Sequence, residues 1–227
     1  MEISSKEVLR YLGYRDVAAN ERVSSLTGEL IDLFSAKVVP RNVYGVWDCK
    51  FDSSTVSLGS MNAESKNLSK HLTDCRYAVL LAATLGPDAD TLIRRFTVQD
   101  MEKAVIAQAV CAAMIEAYCD SIESEILQKP EFNGLYFTSR FSPGYGDFNI
   151  THQKDILRML NSTRIGMSLT DGYMLIPSKS VTAVIGFSRE KMRVTEMHTV
   201  ELRTSELRTV EKCEYCAQKN CKARRAV

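Results

Sequence analysis

Residues 165–188 read IGMSLTDGYMLIPSKSVTAVIGFS. Three short runs with strand character fall inside this stretch, at 165–169, 173–176 and 180–187, separated only by Asp171-Gly172 and by Pro177-Ser178-Lys179. Connections this short join antiparallel neighbours, because a parallel crossover consumes about a dozen residues or more. A doubly wound parallel sheet is thereby excluded. The expected class is α+β: a single domain with a mostly antiparallel twisted sheet, flanking helices and one long central helix.

That long helix is expected over 99–128, QDMEKAVIAQAVCAAMIEAYCDSIESEILQ, where Val105, Ala109, Ala112, Ile115, Cys119 and Ile122 form one stripe before Pro130 stops it. Glu116 and Asp120 stand four apart and so share a face; from the residues alone they read as the solvated edge of a half-buried helix. Upstream, an amphipathic helix is expected over 17–36, two strands within 42–58 around Asp52-Ser53-Ser54, and a short helix over 65–73. The apolar run YAVLLAAT at 77–84 reads as a buried strand that turns through Leu85-Gly86 into a helix starting at Pro87. Downstream come a strand over 135–138, a helix over 151–160 with a basic face, and a charged, Thr-rich surface helix within 194–210.

Composition bounds the function. The 227 residues are 45% apolar and 25% charged, with 29 basic against 28 acidic side chains, as in an ordinary globular protein. A net charge of +1 supplies no overall field to steer a nucleic acid or an acidic substrate, so no nucleic-acid partner is expected. The N-terminus MEISSKEVLRYLGYRD lacks the basic, apolar and small-residue order of a secretory signal. No window holds ~18 unbroken apolar residues, so a cytoplasmic chain without a membrane partner is expected. Of seven cysteines, Cys49, Cys75, Cys111 and Cys119 fit small buried hydrophobes of a reducing compartment. The three histidines, His71, His152 and His198, sit in different segments without diagnostic partners and are expected to be satisfied surface residues.

The common phosphate-loop, dinucleotide, HExxH and GxSxG patterns are all missing. The most specific feature is the loop Arg140-Phe141-Ser142-Pro143-Gly144-Tyr145-Gly146-Asp147. It sets a guanidinium, a hydroxyl, a rigid turn and an aromatic ring within eight residues, which suits a small zwitterion: Arg140 for a carboxylate, Tyr145 for a ring or a cation, and backbone groups at Pro143-Gly144 for a base edge. A tight turn with Arg140 in a structural ion pair accounts for the same spacing equally well.

RFSPGYGDFN, the upstream IEAYCD of the long helix and the downstream IGMSLTDGYMLIPSKSVTAVIGFS together resemble the reactivation domain of cobalamin-dependent methionine synthase, in its free-standing bacterial form. The resemblance implies an S-adenosylmethionine-binding component that acts in trans on a cobalamin-bearing partner. Cob(II)alamin there is reduced by flavodoxin or another low-potential donor and remethylated from S-adenosylmethionine. It implies contacts to S-adenosylmethionine from Arg140 and Glu116, completed by Ser142, Gly144 and Tyr145. No catalytic side chain is expected, since the cobalt attacks the methyl group directly and the protein contributes orientation.

Three departures bear on that picture. The chain has no D-x-H-x-x-G, the motif that holds cobalamin in this enzyme family, so the corrinoid must reside on the partner's cobalamin-binding module. A second ligand-contacting tyrosine of the fused enzymes is replaced here near Ile185, and Asp48 is a candidate for their N-terminal aspartate. Residues 1–211 are thus expected to form the ligand-binding domain and 212–227 a cysteine-rich tail. In that tail Cys213, Cys216 and Cys221 admit three readings: ligands of zinc or an iron-sulfur cluster, redox-active or free thiols, or no special role. Two other functions stay open: an S-adenosylmethionine-binding regulatory module, and an activator of another corrinoid methyltransferase protein.

Overall fold

A computed structural model of the chain describes residues 3–14 and 19–189, and the backbone of 199–200. The helices are α1 (Ser5–Tyr11), α2 (Glu21–Lys37), α3 (Lys66–His71), α4 (Pro87–Gln99), α5 (Met101–Leu127) and α6 (Gln153–Leu160). The strands are β1 (Arg41–Phe51), β2 (Thr55–Leu58), β3 (Met61–Glu64), β4 (Tyr77–Thr84), β5 (Tyr136–Thr138), β6 (Ser168–Leu169), β7 (Leu175–Ile176), β8 (Ser180–Ser188) and β9 (Thr199–Val200). Two compact units result. One comprises the described parts of Met1–Asn42, Ala83–Leu127 and Ile165–Val181, the other those of Val43–Ala82, Gln128–Arg164 and Thr182–Val227.

The first unit is built on α5, against which α1, α2 and α4 pack. Its small buried residues, Ala104, Ala107, Cys111 and Ala113 among them, let neighbouring backbones approach closely. Because three helices cover α5, burial is not confined to one stripe: Ile106, Val110 and Met114 are buried, whereas Val105, expected in the stripe, is 54% exposed. In length and composition α5 equals a membrane span, but 56% of its most apolar window is buried inside the protein, which is the behaviour of a core helix. The helix ends follow local chemistry. Asn20 caps α2 through the Val23 amide (2.8 Å), and Gly86 at φ 85° leads into Pro87, the first residue of α4.

The second unit carries a sheet ordered β3-β2-β1-β4-β8-β5-β9, apart from short ends of β1, β4 and β8. Its ladders β1/β2, β2/β3, β5/β8 and β5/β9 are antiparallel. So is β4/β8, whose opposite ends are bonded through Arg76 N–H to Phe187 (3.2 Å) and Leu85 N–H to Lys179 (2.9 Å). The α+β class, the mostly antiparallel sheet and the single long helix are those expected from 165–188 and 99–128. The stretch 165–188 divides differently, however. β6 and β7 close their own two-residue hairpin, and only β8 joins the large sheet, since a 3-10 turn over Ser162–Ile165 occupies the start of the first run. Of the helix expected within 194–210, only Thr199 and Val200 are described, and they are strand; two β-branched residues beside the edge of β5 complete a ladder instead.

Cys75, Cys111 and Cys119 are buried and Cys49 half-buried. Burial pushes the Cys49 thiol up to about 11 and those of Cys75 and Cys111 up to about 12, so these three remain protonated and behave as hydrophobes. His71 and His152 correct the surface expectation, because their rings extend an aromatic stack: His71 lies 4.9 Å from Phe141, Phe141 is 6.1 Å from Phe148, and Phe148 is 5.4 Å from His152. His71 is only 4% exposed. His198 lies outside the described residues.

Candidate functional site

The loop after β5 is held as two successive β-turns. Phe141 exchanges both backbone hydrogen bonds with Val184 of β8 (2.9 and 2.8 Å), which fixes the point of departure. Tyr145 N–H then bonds to the Ser142 carbonyl (3.2 Å) across Pro143-Gly144, with Gly144 at φ 95°, the arrangement a type II turn demands. Phe148 N–H bonds to the Tyr145 carbonyl (3.0 Å) across Gly146-Asp147, with Gly146 at φ 54°. Gly144 N–H to the Phe148 carbonyl (2.7 Å) closes the pair. Pro143 and Phe148 are buried anchors, and Tyr145 stands between them at the tip, 66% exposed.

The amides of Gly144 and Tyr145 both bond within the loop, so those two donors shape the turn. Arg140, Ser142, Gly144 and Tyr145 are brought together on one rigid loop, with Arg140 and Ser142 half-buried. Glu116 is half-buried on α5, in the other unit, where its charge acts on the Tyr11 hydroxyl. Asp48 is exposed on β1, while Ile185 is 4% exposed and belongs to the core. Cys213, Cys216 and Cys221 lie outside the described residues; among the described residues no group of three or more His, Cys, Asp and Glu is placed to hold a metal.

Asp147 and His71, to which the sequence assigned no part in the site, fix the loop. Asp147 accepts from the Ser65 hydroxyl (2.5 Å) and from the amides of Lys66 (2.9 Å) and Asn67 (3.1 Å), tying the loop tip to the start of α3. Ser65 itself caps α3 through the Leu68 amide (2.9 Å). His71, from the far end of α3, places Nε2 2.8 Å from the Ser139 carbonyl; facing an acceptor, that nitrogen carries the proton. Both partners lie some seventy to eighty residues away, at a distance where no local pattern signals the pairing.

The Ser65 hydroxyl first, with the Asn67 and Lys66 amides, holds the Asp147 carboxyl below the usual carboxylate range, against a smaller opposing effect of burial. Its stabilising contribution is therefore complete above the unfolded value of about 3.9 and is lost as pH falls through the lower folded value. Asp147→Ala is expected to lower stability by about 1 kcal/mol at pH 7 in urea melts, the size of a lost helix cap, and the gap to the parent protein is expected to close in acid. A gap that is independent of pH contradicts this role.

The sequence model of the family described as vitamin B12 dependent methionine synthase, activation domain, matches residues 52–202. The span includes Glu116 and the whole loop and leaves out α1 and α2. The fold is similar to the crystal structure of the MetH reactivation domain bound to AdoHcy, with a TM-score of 0.59 and 16% identity, over 82% of this chain and 77% of that one. At that identity the likeness is one of fold. No curated protein matches the chain.

Proposed function

From the fact that this chain belongs to the activation-domain family of vitamin B12-dependent methionine synthases, we propose that it binds S-adenosylmethionine and acts in trans on a methionine synthase whose cobalamin has been oxidised. The observation that carries the reading is the double turn of residues 142–148, which fixes the backbone beside Arg140 and raises Tyr145 between two glycines. In the reaction served, the partner's cob(II)alamin gains one electron from flavodoxin or another low-potential donor and takes the methyl group of S-adenosylmethionine, leaving S-adenosylhomocysteine and methylcobalamin.

The residues fit the ligand's chemistry. A guanidinium meets a carboxylate through two parallel hydrogen bonds, the role assigned to Arg140. The exposed ring of Tyr145 offers a face to the adenine or the sulfonium. Ser142 and Gly144 contribute the turn that sets the spacing between the two. Glu116 is assigned the ligand's amino end or ribose. The ligand has no phosphate, which agrees with a chain that has no glycine-rich phosphate cradle. None of these groups is asked to move a proton; each binds and orients, and methyl transfer in line gains from that orientation. Isothermal titration of the intact protein is expected to show saturable binding of both S-adenosylmethionine and S-adenosylhomocysteine. Absence of heat with either ligand, at concentrations where the parent protein stays folded, overturns the proposal.

A further inference from the structure

Arg140 stands between two peptide units that are both held from outside the loop. On its C-terminal side the Phe141 amide donates to the Val184 carbonyl of β8 (2.9 Å), and the Phe141 carbonyl accepts from the Val184 amide (2.8 Å). On its N-terminal side the Ser139 carbonyl accepts from His71 Nε2 (2.8 Å) and from the Thr138 hydroxyl (3.1 Å), which is itself bonded by the Gly186 amide (2.9 Å). A peptide unit is planar, so the only soft torsions at Arg140 are the two that turn its flanking planes relative to each other. With both planes held, the direction of the Arg140 Cα–Cβ bond is held too.

His71 reaches this point from a distant part of the chain. Its ring is 4% exposed and lies 4.9 Å from the ring of Phe141, so it grips the carbonyl before Arg140 and the side chain after it. Its helix is anchored at the other end as well, where the Ser65 hydroxyl and the amides of Lys66 and Asn67 hold Asp147, the last residue of the loop. α3 therefore holds both ends of 140–147. We propose that His71 is a positioning residue for Arg140 and, through it, a determinant of specificity for ligands that carry a carboxylate. A guanidinium makes two parallel hydrogen bonds to a carboxylate only when its plane is aimed, so the aim matters for a ligand with that group and is without effect for one that lacks it. This rests on the ligand reading above.

His71→Phe is the informative change, since a ring is kept against Phe141 and only the donor to Ser139 is removed. The intact parent, His71→Phe, Arg140→Ala and the double variant are titrated with S-adenosylmethionine and with its decarboxylated form, with melting temperatures in parallel. His71→Phe is expected to bind S-adenosylmethionine about fivefold more weakly and the decarboxylated ligand as the parent does, with the double variant no weaker than Arg140→Ala alone. A merely structural histidine gives equal losses with both ligands, losses that multiply with those of Arg140→Ala, or a lower melting temperature with unchanged affinity; each overturns the proposal. His71→Gln gives up the ring but keeps a donor in reach of the carbonyl, and is expected to stay within about twofold of the parent for both ligands while melting lower. Should His71→Phe not fold, His71→Gln decides, and a loss shared by both ligands overturns the proposal. Parent-like binding by Arg140→Ala also overturns it while leaving ligand binding intact. If the parent itself binds neither ligand, the ligand reading fails and this proposal with it.

Discussion

Arg140→Ala is expected to weaken S-adenosylmethionine binding by roughly 10- to 100-fold, the effect of removing charge-assisted hydrogen bonds to a carboxylate. The loop backbone is held by its own bonds: Phe141 to Val184, the two turns across Pro143-Gly144 and Gly146-Asp147, and the Asp147 clasp on α3. Truncating the Arg140 side chain therefore leaves the framework of the site in place. Arg140→Lys separates charge from geometry, because an ammonium keeps the charge but cannot form the fork. It is expected to recover only part of the affinity. Full recovery with lysine would mean that Arg140 acts as a point charge, and parent-like affinity of the alanine variant would remove it from the site.

The largest loss of stability is expected from Gly186→Ala. This residue lies on β8 with its amide donating to Thr138 Oγ1 (2.9 Å), and a Cβ built there falls 2.5 Å from Cys75 Sγ and 2.6 Å from Leu72 Cδ2. Both neighbours are buried, Leu72 completely, so neither can swing out of the way. Overpacking of this kind costs about 1–3 kcal/mol, which for a chain of this size lowers the melting temperature by roughly 2–4 °C per kcal/mol. Adding Cys75→Ala removes the nearest atom and is expected to restore part of the loss. If the double variant melts no higher than Gly186→Ala, the contact with Cys75 is not the source of the strain.

Elements marked by local chemistry were legible in the sequence. β4 spans 77–84 as its unbroken apolar run implied, and α4 begins at Pro87 as the Gly-Pro step implied. The turn of Pro143-Gly144 was equally visible, because proline and a glycine at positive φ are what that turn requires. β3 was not seen: Met61-Asn62-Ala63-Glu64 has little intrinsic strand preference and is strand because it pairs with β2 through a tight connection. Hidden for the same reason were the Asp147 clasp on α3 and the bond from His71 to Ser139. Each depends on residues far apart in sequence meeting in space. Sequence therefore displayed the side chains proposed for the ligand, while the groups that hold the loop in position emerged only from the structure.

The central claim is action in trans on oxidised cobalamin, and the most direct measurement is an absorption spectrum. A methionine synthase without an activation domain, in its cob(II)alamin form, is mixed with this protein, S-adenosylmethionine and an active low-potential donor. The account predicts conversion to the spectrum of methylcobalamin, dependent on this protein and strongly reduced with Arg140→Ala. A cob(II)alamin spectrum that persists with the donor active would contradict it.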